Sequence, residues 1–161
     1  MVDRPEPHLW VIFFGDTRQG HWWCRLLRPG FRHVAAAAWF VRQERWVIVD
    51  PVAGGTVVEV LRAEEANGWI GQLFAGASAV VRFESGHARA MQPATGFCVA
   101  QIKALLGVRC RALTPYGLYR HLIAHGAEIV DAPKSGIVNE QPVQIAAVDA
   151  SVGRPVRHCG T

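Results

Sequence analysis

Cys98, His33 and Asp50 are a thiol, an imidazole and a carboxylate, the three groups that a thiol hydrolase uses as nucleophile, base and orienting residue. The thiol is the natural starting point. In residues 97–106 (FCVAQIKALL), Val99, Ile102, Leu105 and Leu106 recur on one helical face until Gly107 stops the pattern. With Thr95 as N-cap, Cys98 becomes the third helical residue, where unpaired backbone N–H groups and the helix dipole favour a thiolate. Gly96 leaves the backbone open to a substrate. A lone cysteine is more often a small core residue, so the case for chemistry depends on what stands beside it.

His33 supplies a base if the chain brings it near. Residues 31–40 and 45–50 read as two strands joined by the polar Arg42, Gln43 and Glu44, the pattern of a hairpin. A turn near Val41 and Arg42 sets His33 opposite Asp50, Ala35 opposite Ile48 and Ala37 opposite Trp46. Directly opposed side chains have Cβ atoms about 4.5–5.5 Å apart, close enough for the carboxylate to fix the imidazole's tautomer. A slip of one residue would break the pair. Ala35 and Ala37, small residues on the face of His33, leave room for a close helix, and the Cys98 helix is the candidate.

The elements around this trio define an α+β domain: an antiparallel sheet of four to five strands packed against two or three helices. Residues 8–14 (HLWVIFF) form a continuously apolar run, expected as a central strand. A short helix or turn is expected over 20–28 and strands over 56–61 and 78–83, the first extending a meander. Residues 62–74 carry a loose helical pattern interrupted by Gly68 and Gly71, and Pro51 is expected to end the second hairpin strand. Thr114 and Pro115 open a second clear helix, N-cap followed by first-turn proline, with Leu118, Leu122 and Ile123 inward and Gly126 as C-cap. The domain is expected over 1–132, followed by an extended tail over 133–161 that adds an edge strand around 143–148 or docks on a partner.

Composition narrows the classes. A chain of 161 residues, half of them apolar and six of them Trp, is long enough to bury a core. No apolar run reaches the roughly 18–20 residues of a membrane span, and residues 9–14 are too short for a signal peptide's apolar region. Cytoplasmic synthesis without a signal peptide is the expectation. Cys24, Cys98, Cys110 and Cys159 lack CxxC spacing, which argues for free thiols and against a zinc ribbon or thioredoxin motif. The net charge of +4 comes from arginines spread along the chain, so nucleic acid is not the expected partner.

The strings GFRHV (30–34), WVIVDP (46–51), CVAQIKALLG (98–107) and LTPY (113–116) together resemble the circularly permuted branch of the papain-like superfamily. NlpC-type peptidases and lecithin retinol acyltransferase-like proteins belong to that branch, in which the His strand precedes the Cys helix, as His33 precedes Cys98. The resemblance implies a papain-like permuted fold with Cys98 as nucleophile, His33 as base and Asp50 as orienting residue. It implies hydrolysis of an amide in a peptide or peptidoglycan-like substrate, with no cofactor and no metal. The oxyanion donors it implies are the Cys98 backbone N–H and Gln92, six residues before the cysteine. Phe97, in a position where permuted relatives often carry Asn, departs from the pattern. The chain is also similar to small accessory proteins of tailed bacteriophages, which implies association with a virion and contacts to other virion proteins through the tail. The rival reading is therefore a non-catalytic assembly component on the same scaffold.

Other constellations carry less. His121 and His125 share a helix face, but Leu122 stands where a zinc-protease motif has its glutamate, so a packed or solvated pair is expected. His158 and Cys159 would be the remaining candidates for such a site. Cys24, three residues after His21, is a rival nucleophile whose neighbours Trp22, Trp23 and Leu26 favour packing. Trp39 and Trp46 are expected to pack against the sheet rather than line a groove. No GxGxxG or P-loop context supports nucleotide chemistry.

Overall fold

The computed structural model describes residues 8–16, 22–52, 55–85 and 97–131. Its centre is β1 (His8–Gly15), the apolar run, flanked on one side by β2 (His33–Phe40) and on the other by β5 (Ala77–Ser85). Beyond β2 lie β3 (Arg45–Val52) and β4 (Gly55–Leu61), and beyond β5 the two-residue β6 (Glu128–Ile129). The sheet order β4-β3-β2-β1-β5-β6 is antiparallel between each pair of neighbours. With helices α1 (Ala63–Gly76), α2 (Cys98–Leu106) and α3 (Pro115–Ala124), the described residues form an α+β fold. The sheet is one strand wider than expected because β6 is too short to leave a periodic signal.

Burial on both sides explains why β1 shows no alternation of apolar and polar residues. Trp10, Ile12 and Phe14 join Val34, Ala36, Ala38, Val49 and Val81 beneath α2 and α3. Val11 and Phe13 join Ala37, Ile48 and Val80 beneath Ala66 and Ile70 of α1. Alanine is a poor strand former, yet Ala35, Ala36, Ala37 and Ala38 are all buried, their small side chains admitting elements close on either face. The helix opposed to Ala37 is α1; α2 lies on the other face, over Ala36 and Ala38. This corrects the expectation that the Cys98 helix covers the face of Ala35 and Ala37.

Helix ends follow the sequence closely in α3 and less so in α2. The Thr114 hydroxyl accepts the Gly117 N–H at 3.1 Å with Pro115 in the first turn, and removing it by Thr114→Ala should lower stability by about 1 kcal/mol in urea denaturation. Helix α2 starts later than expected: Phe97 is its N-cap, with no side-chain cap bond, and Cys98 is its first residue. Thr95 and Gly96 lie outside the described residues, as do Gln92, His21, His158, Cys159 and the tail over 133–161. At the far end Gly107 takes the left-handed conformation (φ 65°) and closes the helix. The return segment over 107–114 is tied to α2 by Lys103, whose Nζ donates to the carbonyls of Cys110 at 2.6 Å and Ala112 at 3.1 Å.

Pro51 does not end β3, which runs on to Val52 through pairs with β4 such as Pro51–Thr56. The proline acts on one side only. Pairing between β2 and β3 runs from Phe40–Arg45 to Ala36–Val49, while β2 stays with β1 as far as His33–Gly15 and β3 stays with β4 as far as Val52–Gly55. A residue without an N–H just past the last pair is consistent with that ladder stopping there. The sheet is consequently parted at one end, between β2 and β3.

Candidate active site

His33 opens β2 at this parted end. Two constraints hold it there: the Arg32 N–H donates to the Gly15 carbonyl at 2.9 Å, and the Gly30 N–H donates to Asp16 Oδ1 at 2.9 Å. Gly15 itself must lack a side chain, since a Cβ there would sit 2.4 Å from the carbonyl oxygen of Gly76. Local sequence and close backbone packing therefore fix where the imidazole begins.

Across the gap, Asp50 Oδ1 lies 2.7 Å from His33 Nε2, the ring nitrogen that donates to it. The pairing is not the directly opposed one expected from sequence. The loop over 41–44 is longer than the two-residue turn assumed, and the observed register, Ala37–Ile48 and Trp39–Trp46, is displaced by two residues. A displacement of two preserves the face, where a displacement of one would invert it. Asp50 therefore reaches His33 along the diagonal, a distance that long and ring-bearing side chains span.

Cys98 opens α2, and its thiol is close enough to the same ring to act with Asp50 in raising the His33 pKa. With Nε2 engaged by Asp50, Nδ1 is the nitrogen left for the sulfur. Strict alternation assigns His33 and Asp50 to the face of Ala37 and Ile48, opposite to α2. Both residues lie beyond the last β2–β3 pair, Ala36–Val49, where alternation along the ladder no longer fixes a face. Side-chain exposures of 23% for His33 and 22% for Asp50 leave the pair shielded but within reach of solvent.

The electrostatics favour a protonated imidazole. Burial disfavours the charged ring, but the hydrogen bonds and negative charges contributed by Asp50 and Cys98 outweigh it and raise the pKa from 6.5 to about 9. At neutral pH the site thus holds an imidazolium between a carboxylate and a sulfur. The first backbone hydrogen bond of α2 runs from the Gln101 N–H to the Phe97 carbonyl. The N–H groups of Cys98, Val99 and Ala100 therefore have no acceptor within the helix. Gln92, the second donor expected, lies outside the described residues.

One link near the site left no sequence signal. The Thr56 hydroxyl on β4 donates to Gln101 Oε1, one turn along α2 from Cys98, and Thr56 pairs with Pro51 beside Asp50. It joins the strand next to the carboxylate to the helix that bears the thiol, and only tertiary structure brings such residues together.

The competing constellations are placed elsewhere. Cys24 is buried. The His121 and His125 rings lie 3.9 Å apart, and His125 Nδ1 donates to the His121 carbonyl at 2.8 Å. Trp39 and Trp46 pair directly across the strands with ring centroids 5.7 Å apart, and Trp46 packs on the α1 side of the core. A polar cavity of about 390 Å³ lined by Leu9, Arg82, Glu84, His125 and Glu128 lies at the other end of the sheet, where β1 begins. It has no part in the His33 geometry. No helix among the described residues is long and apolar enough to cross a membrane.

Comparison with family models, with curated proteins and with solved structures gives no match.

Proposed function

We propose that this protein is a thiol-dependent amide hydrolase of the permuted papain-like kind, acting on peptide-like amides, those of cell-wall peptides among them. The observation that carries this reading is the meeting of two residues distant in sequence at the His33 imidazole: Asp50 at 2.7 Å on one nitrogen, and the Cys98 thiol, which acts with it to raise the ring's pKa.

The steps follow from the geometry. Sγ of Cys98, as thiolate, attacks the amide carbonyl carbon, and the resulting oxyanion is met by the N–H groups that begin α2. As the C–N bond breaks, the His33 imidazolium gives its proton to the departing amine, leaving a thioester and a neutral imidazole. That imidazole then takes a proton from water as the water oxygen adds to the thioester carbonyl. Collapse expels the Cys98 thiolate, releases the carboxylic acid and restores the imidazolium. Asp50 keeps the ring oriented throughout, accepting from Nε2.

Alkylation with iodoacetamide at pH 6, followed site by site by mass spectrometry, tests the reading. Cys98 should label at least about tenfold faster than Cys110, as a thiol paired with an imidazolium does. Equal rates at Cys98 and at an unperturbed thiol, together with a Cys98→Ala variant that keeps all amide hydrolysis, would remove the enzyme reading and leave an assembly role.

A further inference from the structure

Helix α2 carries the thiol, yet most of what holds it to the sheet is apolar. Val99, Ile102 and Leu106 are buried in one core cluster with Ala36, Ala38 and Val49 of the sheet. Such contacts resist separation but have no direction, so they leave a helix free to slide or roll by small amounts. Its N-cap, Phe97, makes no side-chain cap bond. A nucleophile tolerates little of that freedom, since a misplacement of about 1 Å can cost on the order of 10²-fold in rate.

In residues 98–106 (CVAQIKALL) the polar side chains besides Cys98 are Gln101 and Lys103. Lys103 Nζ is engaged by the carbonyls of Cys110 and Ala112, in the segment that follows the helix. Gln101 is thus the side chain through which α2 makes a directional bond to the sheet, its Oε1 accepting from the Thr56 hydroxyl on β4. It stands three residues beyond Cys98, about 60° around the helix and about 4.5 Å along it. Both therefore lie on one flank of the buried stripe, with Lys103 on the other.

Thr56 in turn pairs with Pro51, and its neighbour Val57 pairs with Asp50. The bond refers the thiol to the strand pair that presents the carboxylate, while the imidazole comes from β2, across the parted end of the sheet. The role rests on Cys98 being the nucleophile: given that, we propose that Gln101 and Thr56 are positioning residues, whose hydrogen bond sets the Cys98 thiol against the His33 imidazole and in fixed relation to Asp50. Removing the bond leaves all three reacting groups in the protein and loosens their mutual placement.

Iodoacetamide labelling of Cys98 at pH 6, read against Cys110 in the same molecule, tests the role. Thr56→Val and Gln101→Leu should each slow Cys98 about threefold to tenfold in a protein that stays folded by circular dichroism. The double variant should fall within about twofold of the slower single one, because both substitutions remove the same bond. Thr56→Ser, which keeps the hydroxyl, should label within about twofold of the unaltered protein. His33, followed by NMR, should titrate below its native value of about 9 in Thr56→Val and Gln101→Leu, since the thiol's contribution weakens. A loss of stability alone would not move that titration. Labelling and titration unchanged in both folded variants overturn the positioning role and leave the nucleophile standing. Cys98 labelling no faster than Cys110 in the unaltered protein overturns the nucleophile, and the positioning role with it. If Gln101→Leu disturbs the helix, Thr56→Val, a change at an exposed strand position, decides.

Discussion

Replacing His33 by Asn is expected to slow amide hydrolysis about 10²- to 10⁴-fold, the range associated with loss of a positioned general acid and base. The same variant should bring the rate of Cys98 alkylation near neutral pH down to that of an ordinary thiol. Asparagine can still donate to Asp50, and His33 stands at the start of β2 rather than within either core cluster. The variant should therefore stay folded, which circular dichroism and a cooperative urea transition would verify. Unchanged alkylation in a folded His33→Asn protein would separate the thiol from the imidazole and defeat the mechanism.

Asp50→Asn should act through the imidazole's proton. In the native site burial lowers the His33 pKa and the contributions of Asp50 and Cys98 raise it further, to about 9 from 6.5. A group whose pKa is raised on folding stabilises the fold fully below its unfolded pKa and loses that contribution as pH rises through the folded value. Stability should thus decline between about pH 6.5 and 9, by up to roughly 3 kcal/mol, less whatever partial exposure screens. In Asp50→Asn the charge and much of the hydrogen bonding are gone, burial dominates, and the decline in this window should flatten. Imidazole resonances followed by NMR should show His33 titrating near 9 in the native protein and well below that in the variant, with the alkaline limb of any hydrolytic activity moving the same way. Native His33 titrating at 6.5 would contradict the pairing outright.

The trio was legible because each member sat on an element with a strong local signal. Cys98 begins a helix whose apolar face repeats cleanly, and His33 and Asp50 flank a polar turn between two β-rich runs. The register was not legible. Four residues, Val41, Arg42, Gln43 and Glu44, lie between the strands, and the length of a loop does not declare itself where turn glycines are missing. The expected pair survived because the error was even.

Which face each helix would cover was also hidden, because Ala35 to Ala38 are apolar in unbroken succession and a strand buried on both sides carries no parity. Pro51 misled in an instructive way. Loss of one N–H is compatible with ending the ladder on one side of a strand, which is invisible in a reading that treats a strand as a unit.

The parted end of the sheet has a mechanical meaning. Beyond Ala36–Val49, β2 and β3 are held by their outer neighbours, β1 and β4, and, among the described residues, by the His33–Asp50 hydrogen bond between them. That bond thus acts as a clasp between the two strands. Widening the gap to admit a chain would bend two hairpins and stretch one contact, with no row of ladder bonds to rupture. The compliance of the cleft and the charge state of its imidazole are consequently governed by the same pair of atoms.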